Sequence, residues 1–331
     1  MRLPRAVAAL LACAAALAGA RCMPEPETPR CEPPPGDVVD PCAGPAPGDG
    51  ALPGTPDPGE VPSGSVGESG GVVDRLWFAT TGDTRPGFCG RTEDYPSGAI
   101  GQIARAMKGL RVQFTLDLGD HMYVCNQSLV EAKAQMALYM GAVEQGPPTW
   151  WMTMGNHECG NDAPPYSCFA GRGDANFTAY MAALRRPLPY YATEVQTSLG
   201  KARFVVVADD SWNAPQADWL ESTLDAADAN ARYTIVARHH PVTGPRRGNA
   251  QIVQTIARHK YSLILTAHSH LYARDPAAFG GRSAIVGLGG APATMPPGFG
   301  TVLQNRDGSL TFVRRDANGN PIDVPWTVAP Q

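Results

Sequence analysis

Beyond its first twenty residues the chain lacks any apolar run long enough to cross a bilayer, which takes about 20 consecutive apolar residues. It also lacks a basic block. The formal net charge is −4 over 331 residues, and no Lys/Arg cluster offers the positive face that a nucleic acid would need. No C-x-x-C spacing occurs among the eight cysteines, which excludes a zinc site built from them. Internal repeats are missing too, so a solenoid or propeller is not expected. From residue 23 to 71 large apolar side chains are nearly absent, while Pro, Gly, Glu and Asp dominate. Such a stretch cannot bury enough surface to offset its ordering entropy.

What is present begins with a leader. Arg2 and Arg5 precede a short apolar stretch, and Ala18-Gly19-Ala20 fits a small-residue cleavage site. Residues 1–20 therefore read as a secretory signal peptide. Leu17-Ala18-Gly19-Ala20 also resembles the sequence before a lipidated cysteine, although Arg21 sits directly ahead of Cys22. Plain cleavage and a lipid anchor at Cys22 both stay open. The expected location is outside the cytoplasm: periplasmic, secreted or lipid-anchored at the cell surface. Residues 21–71 read as a disordered Pro/Gly/acidic linker, with nine acids against the single base Arg30 from residue 23 on. The remaining 72–331 is close to neutral and reads as one catalytic domain.

Exported cysteines pair by default. Cys13 leaves with the leader. Cys159 and Cys168 are close in sequence around a Gly/Pro loop and are paired first; Cys89 with Cys125 and Cys31 with Cys42 follow by elimination, and free thiols are the alternative.

From residue 72 short apolar runs alternate with helical periodicity. Strands are expected over 76–81, 112–118, 150–154, 203–208, 233–237, 263–267 and 284–288. Helices are expected over 97–110, over 126–143 with Asn126 as its N-cap, and over 216–227. A hairpin turning at Asp307-Gly308 spans 300–313. Apolar strands alternating with helices imply sheets covered on both faces, an α/β fold.

Chemistry clusters just after five of these strands. Residues 76–81 run into Gly82-Asp83-Thr84-Arg85, and 112–118 into Gly119-Asp120-His121-Met122-Tyr123. Residues 150–154 run into Gly155-Asn156-His157-Glu158. The last two strands run into His239-His240-Pro241 and His268-Ser269-His270. Ligands of open α/β sheets bind at the carboxyl ends of strands. Carboxylate, amide oxygen and imidazole together form a ligand set for two hard or borderline cations, with one carboxylate able to bridge. Two ions about 3.5–4 Å apart polarise a phosphoryl oxygen and activate water. His121 and His240 lie beside these positions and are candidates for touching substrate. Asp209-Asp210 are candidates for a supporting role or a turn. Trp150, Trp151 and Trp212 read as packing rather than a base-stacking platform.

The series Gly82-Asp83, Gly119-Asp120, Gly155-Asn156-His157-Glu158, His239-x-Pro241 and His268-x-His270 resembles the calcineurin-like metallophosphoesterase superfamily over roughly residues 74–290. Within it, Gly119-Asp120-x-x-Tyr123 and the stretch 267–274 are most similar to purple acid phosphatases. The resemblance implies a four-layer α/β/β/α sandwich with two mixed sheets. It implies a binuclear hydrolase of phosphate esters, monoesters favoured, with a diesterase, a nucleotidase or a non-catalytic surface binding protein as alternatives. Two metal ions (Fe, Mn or Zn) are implied as cofactors, and a phosphorylated small molecule or protein as substrate. Asp83 and His270 would then bind the first metal, Asp120 would bridge, and Asn156, His239 and His268 would bind the second. Tyr123 matches a tyrosine that ligates ferric iron. His157 would steady the phosphoryl group and protonate the leaving oxygen, with Glu158 orienting it. Two positions depart from the pattern. Arg85 stands where most of the superfamily has His and the purple branch Gly; an arginine cannot ligate a metal, so it reads either as a phosphate contact or as a salt bridge at the rim. Ala267 replaces the usual Gly.

Overall fold

The structure, a computed structural model, describes residues 54–56, 60–125, 128–159, 174–243, 248–274 and 278–330. The leader, Cys22, Cys31, Cys42, Asn126 and Cys168 lie outside the described residues. These last belong to the compact unit Ala51–Gln331. Its elements in chain order are β1 (Gly64–Gly67), β2 (Gly70–Val73), β3 (Trp77–Thr81), α1 (Ser97–Gly109), β4 (Phe114–Asp117), α2 (Leu129–Val143), β5 (Trp150–Met152), α3 (Ala175–Leu184), β6 (Tyr191–Thr197), β7 (Gly200–Val206), α4 (Ala214–Asn230), β8 (Tyr233–Ala237), α5 (Asn249–Arg258), β9 (Leu263–Thr266), β10 (Tyr272–Arg274), β11 (Ser283–Val286), β12 (Gly298–Gln304), β13 (Leu310–Asp316) and β14 (Trp326–Val328).

Two mixed sheets form. One orders its strands β1-β2-β6-β7-β8-β9-β11-β10, the other β14-β13-β12-β3-β4-β5. Strands β7, β8, β9 and β11 run parallel, as do β3, β4 and β5. Strand alternation sets the layers. Phe78 on β3, Phe114 on β4 and Trp151 on β5 face inward and meet Phe204 of β7, with ring centroids 4.4–5.3 Å apart. Their neighbours Trp77 and Ala79 face outward onto Ile103 and Met107 of α1. On β8 and β9, Val236 and Ile264 face outward onto Leu220 and Leu224 of α4 and Ile252 and Ile256 of α5. Each such fully buried aliphatic side chain contributes about 1.5–3 kcal/mol. Helices therefore cover the outer faces of a two-sheet sandwich, the four-layer α/β fold expected.

Local signals explain several boundaries. Helix α2 opens at Ser128, whose hydroxyl accepts from the Glu131 amide in a Ser-x-x-Glu box. The cap is thus Ser128 rather than Asn126, and the helix starts later than expected. Asn213 caps α4 through the Gln216 amide, extending that helix at both ends beyond 216–227. The hairpin β12–β13 turns at Asp307-Gly308 as expected, with Gly308 at φ 90°. One boundary differs outright. β1 and the first half of β2 fall inside the stretch expected to be unstructured, where Gly64–Gly67 pairs with Gly70–Val73 and β2 pairs with β6. Glycine-rich sequence hid this edge hairpin, because only Val66 and Val73 anchor it in the core and the rest is backbone pairing, including β2 to β6.

Candidate metal centre

All five strand ends converge. β3, β4 and β5 of one sheet deliver Asp83, Asp120 and Asn156-His157. β8 and β9 of the other deliver His239 and His268-x-His270. The loops are stitched together: the Asp83 amide donates to the Gly119 carbonyl (2.9 Å), Thr84 to Asp120 (3.0 Å) and Ala267 to His239 (2.8 Å). His239 Nδ1 lies 2.7 Å from the Leu118 carbonyl. A carbonyl only accepts, so Nδ1 carries the proton and Nε2 points into the site. Four site residues, Asp83, Asp120, His268 and His270, sit in the left-handed region at φ 51–69°. Strain of about 1–3 kcal/mol per residue held at one place is characteristic of functional sites.

The geometry yields two ligand groups that share one carboxylate. Asp120, His239 and His268 bring one ligand atom each to within 4.8 Å of one another, and Asp83, Asp120 and His270 do the same. Asn156 Oδ1 and both oxygens of Asp83 are buried with no hydrogen-bond partner among the described residues. A buried carboxylate and amide oxygen left bare are costly, and a cation is what would satisfy them. Backbone without side chains makes room for these groups. A Cβ at Gly155 would lie 2.2 Å from Asp120 Oδ1, and one at Gly287 2.2 Å from Asp83 Oδ2. These residues therefore fit a pair of metal ions.

Charge is shared unevenly among them. Burial, reinforced by Asp120, lifts the Asp83 carboxyl to about 6. Burial pushes Asp120 the same way, but His239, His157 and Arg85 outweigh it and hold Asp120 well below the usual carboxylate range. Burial would lower His239, yet Asp120 and Asp83 raise it to about 10. His157 closes over the bridge position, its amide donating to Asp120 Oδ1 (3.1 Å) and its Nε2 3.7 Å from Oδ2. Tyr123 packs its ring edge-on to His157 at 4.2 Å and beneath the Arg85 guanidinium at 4.6 Å. Arg85 itself lies 3.5 Å from Asp120 Oδ2 and 3.2 Å from His270 Nε2. Asp83, Asp120, Asn156, His157 and His239 are buried, whereas Arg85, Tyr123, His268 and His270 are part-exposed and line the mouth.

Several supporting roles differ from the sequence reading. His121 and His240 are fully buried, and each is held by a carboxylate. His121 lies between Asp117 (2.8 Å) and Glu158 (3.3 Å), which outweigh its burial and raise it to about 10. His240 Nε2 meets Asp210 at 2.7 Å. Asp209 pairs with Arg238 and accepts from the His240 amide, so the Asp209-Asp210 pair supports the His239 loop. Glu158 accepts from the amides of Gly155 (2.6 Å), His121 (2.7 Å) and Asp120 (3.1 Å), fixing the loop that carries Asp120. Its carboxylate orients Asp120 and its neighbours, a wider task than the expected one of orienting His157. Asp117 and Tyr139, which bond at 2.9 Å beneath this loop, were missed because each sits in an apolar run. Ala267 does not adopt positive φ, so the missing glycine is harmless there. The Cys89–Cys125 disulfide forms with a Cα–Cα distance of 5.7 Å and ties the Arg85 loop to the Tyr123 loop. Cys159 is disulfide-bonded, with a partner outside the described residues.

A sandwich of two mixed sheets with two carboxylate-bridged ligand groups at its strand ends defines a metallophosphoesterase. The chain belongs to the calcineurin-like phosphoesterase family, whose model matches residues 76–272. Among solved structures it is similar to a purple acid phosphatase from yellow lupin (Lupinus luteus) seeds, at TM-score 0.55 and 16% identity over 76% of this chain. The chain spans about half (53%) of that enzyme. It is also similar to GAP50, the anchor in the inner membrane complex of Plasmodium, at TM-score 0.53 and 16% identity over 77% of this chain and 88% of that one. A dimetal phosphatase from Danio rerio matches at TM-score 0.53 and 14% identity over 77% and 99%. At such identities the likeness is one of fold. No curated protein matches by sequence.

Proposed function

We propose that the protein is an exported, binuclear metal-dependent phosphatase that hydrolyses phosphate monoesters. The observation carrying this is the pair of ligand groups sharing Asp120, with Asp83 and Asn156 buried and otherwise bare. Asp83 and His270 would hold the first ion, Asn156, His239 and His268 the second, with Asp120 shared between them; Tyr123 is the candidate further ligand of the first. The ions supply charge for the phosphoryl oxygens and lower the pKa of water at the site. His157, buried over the bridge position, donates a proton to the leaving oxygen. Arg85, part-exposed beside Asp120 and His270, is the proposed contact for the phosphate oxygens. Phosphoryl transfer needs little beyond such positioning and charge stabilisation.

The leader and acidic linker support export, as does the Cys89–Cys125 bridge, since disulfides persist in oxidising compartments. No helix among the described residues is long and apolar enough to cross a membrane. A lipid at Cys22 is the proposed route to the cell surface. A second reading, a surface binding protein that keeps the fold, draws on Arg85 lying against His270 Nε2. The bare buried oxygens of Asp83 and Asn156 weigh against it, because binding alone gives no reason to retain them. Turnover of p-nitrophenyl phosphate against bis(p-nitrophenyl) phosphate by the protein loaded with Mn, Zn or Fe tests the proposal. Preference for the monoester, with a His157→Ala variant reduced about 100-fold or more, is expected. Preference for the diester would overturn the monoesterase assignment, and absence of turnover with every metal would overturn the enzyme.

A further inference from the structure

The two ligand groups differ in what already occupies them. His270 Nδ1 lies 2.8 Å from the Pro292 carbonyl, so Nδ1 carries the proton and Nε2 holds the lone pair. Arginine can only donate. The 3.2 Å contact from Arg85 Nη2 to His270 Nε2 therefore uses the very lone pair that the first metal needs. The same guanidinium lies 3.5 Å from Asp120 Oδ2. It is held in place by the Tyr123 ring and by donation from Nη1 to the Pro86 carbonyl (3.0 Å), with 13% of the side chain exposed. In the other group His239 Nε2 faces Asp120 Oδ1 at 3.3 Å. There one ligand faces another. At the first group the competitor is a tethered guanidinium cation.

Asp83 acts in the opposite direction. Both its oxygens are buried and bare, so the first group still attracts a cation. The outcome is a weakened site rather than an abolished one. Resting on the binuclear reading above, we propose that Arg85 and the first metal ion compete for His270 Nε2, so that the two sites load unequally: Asp120–His239–His268–Asn156 binds tightly, and Asp83–Asp120–His270 exchanges its ion.

Chelator-stripped full-length protein titrated with Mn²⁺, read by calorimetry and by the electron paramagnetic resonance of free Mn²⁺, tests this. Wild type should show two steps, and His270→Ala should lose only the weaker. Arg85→Met keeps a long apolar stem against Tyr123 and removes the charge. It should tighten the weaker step by about 10–100-fold, the range typical of groups acting next to metal ligands, and leave the tighter step in place. Arg85→Gln, neutral but still able to donate to His270, should fall between. Two equal steps in wild type, loss of the tighter step in His270→Ala, or an unchanged or weakened second step in Arg85→Met would each overturn the competition while leaving the binuclear reading intact. No binding of Mn²⁺, Zn²⁺ or Fe²⁺ by wild type would overturn both. If Arg85→Met fails to fold, Arg85→Gln still tests the competition, and the wild-type and His270→Ala titrations test the unequal loading.

Discussion

Replacing Glu158 with Ala should destabilise the protein more than any exposed substitution. The carboxylate is fully buried and accepts three backbone amides, from Gly155, His121 and Asp120. It also faces His121 Nδ1 at 3.3 Å. Truncation leaves three amides without their acceptor and removes one of the two carboxylates flanking a buried cationic imidazole. Each stranded buried donor costs about 1–3 kcal/mol, and breaking a buried ion pair about 3–5 kcal/mol. These overlap, since the same oxygens serve both, and Asp117 still holds His121. A total loss of about 3–5 kcal/mol is expected, a large share of the roughly 5–15 kcal/mol that folded domains have. Glu158→Gln keeps the shape and one acceptor oxygen and should lose about half as much. Because the same carboxylate fixes the loop bearing Asp120, metal affinity should fall about 10–100-fold in both variants. Urea unfolding at constant m, paired with Mn²⁺ titration, measures the two effects. A loss under about 1 kcal/mol for Glu158→Ala, or unaltered metal affinity, would refute the idea that this side chain organises the Asp120 loop.

Other expectations are narrower. Gly155→Ala places a Cβ 2.2 Å from Asp120 Oδ1 and 2.5 Å from its backbone nitrogen; displacing that residue should cut kcat about 100-fold and lower Tm as well, since the backbone must shift. His121 is raised to about 10, so its contribution is complete below its unfolded value of 6.5 and disappears as pH rises through about 10. Stability of the metal-loaded protein should accordingly decline over that window, and His121→Asn should flatten the decline in urea titrations at stepped pH. Asn213→Ala removes the cap of α4 and should cost about 1 kcal/mol while leaving turnover unchanged, which would separate a fold effect from a site effect.

Much of the site was legible because each ligand follows a strand, a pattern that survives in one dimension, and a glycine precedes Asp83, Asp120 and Asn156. Asp83, Asp120, Asn156, His157, His239, His268 and His270 all converge where that pattern places them. The supporting residues were not legible. Asp117 sits inside β4 among Phe114, Thr115 and Leu116, where nothing distinguishes it from a turn-proximal acid, and its partner His121 becomes apparent only once the loop folds back. His121 and His240 read as substrate contacts because they neighbour ligands, yet a residue beside a left-handed Asp120, or one following β8, is turned into the interior. For β1 and β2 the difficulty was energetic: Gly64–Gly67 and Gly70–Val73 bury only Val66 and Val73, and the pairing of β2 with β6 is a long-range backbone interaction. Arg85 was flagged as a departure, but its contact with His270 spans 185 residues and no local pattern reveals it.

Metal content and turnover of Asp120→Asn, under excess Mn²⁺ and beside wild type, test the shared carboxylate most directly. Wild type should bind two ions per chain and hydrolyse p-nitrophenyl phosphate. The variant should bind both ions weakly and lose turnover by about 1,000-fold or more, since one side chain serves both groups. Retention of two tight ions, or of wild-type turnover, would contradict a bridging role for Asp120.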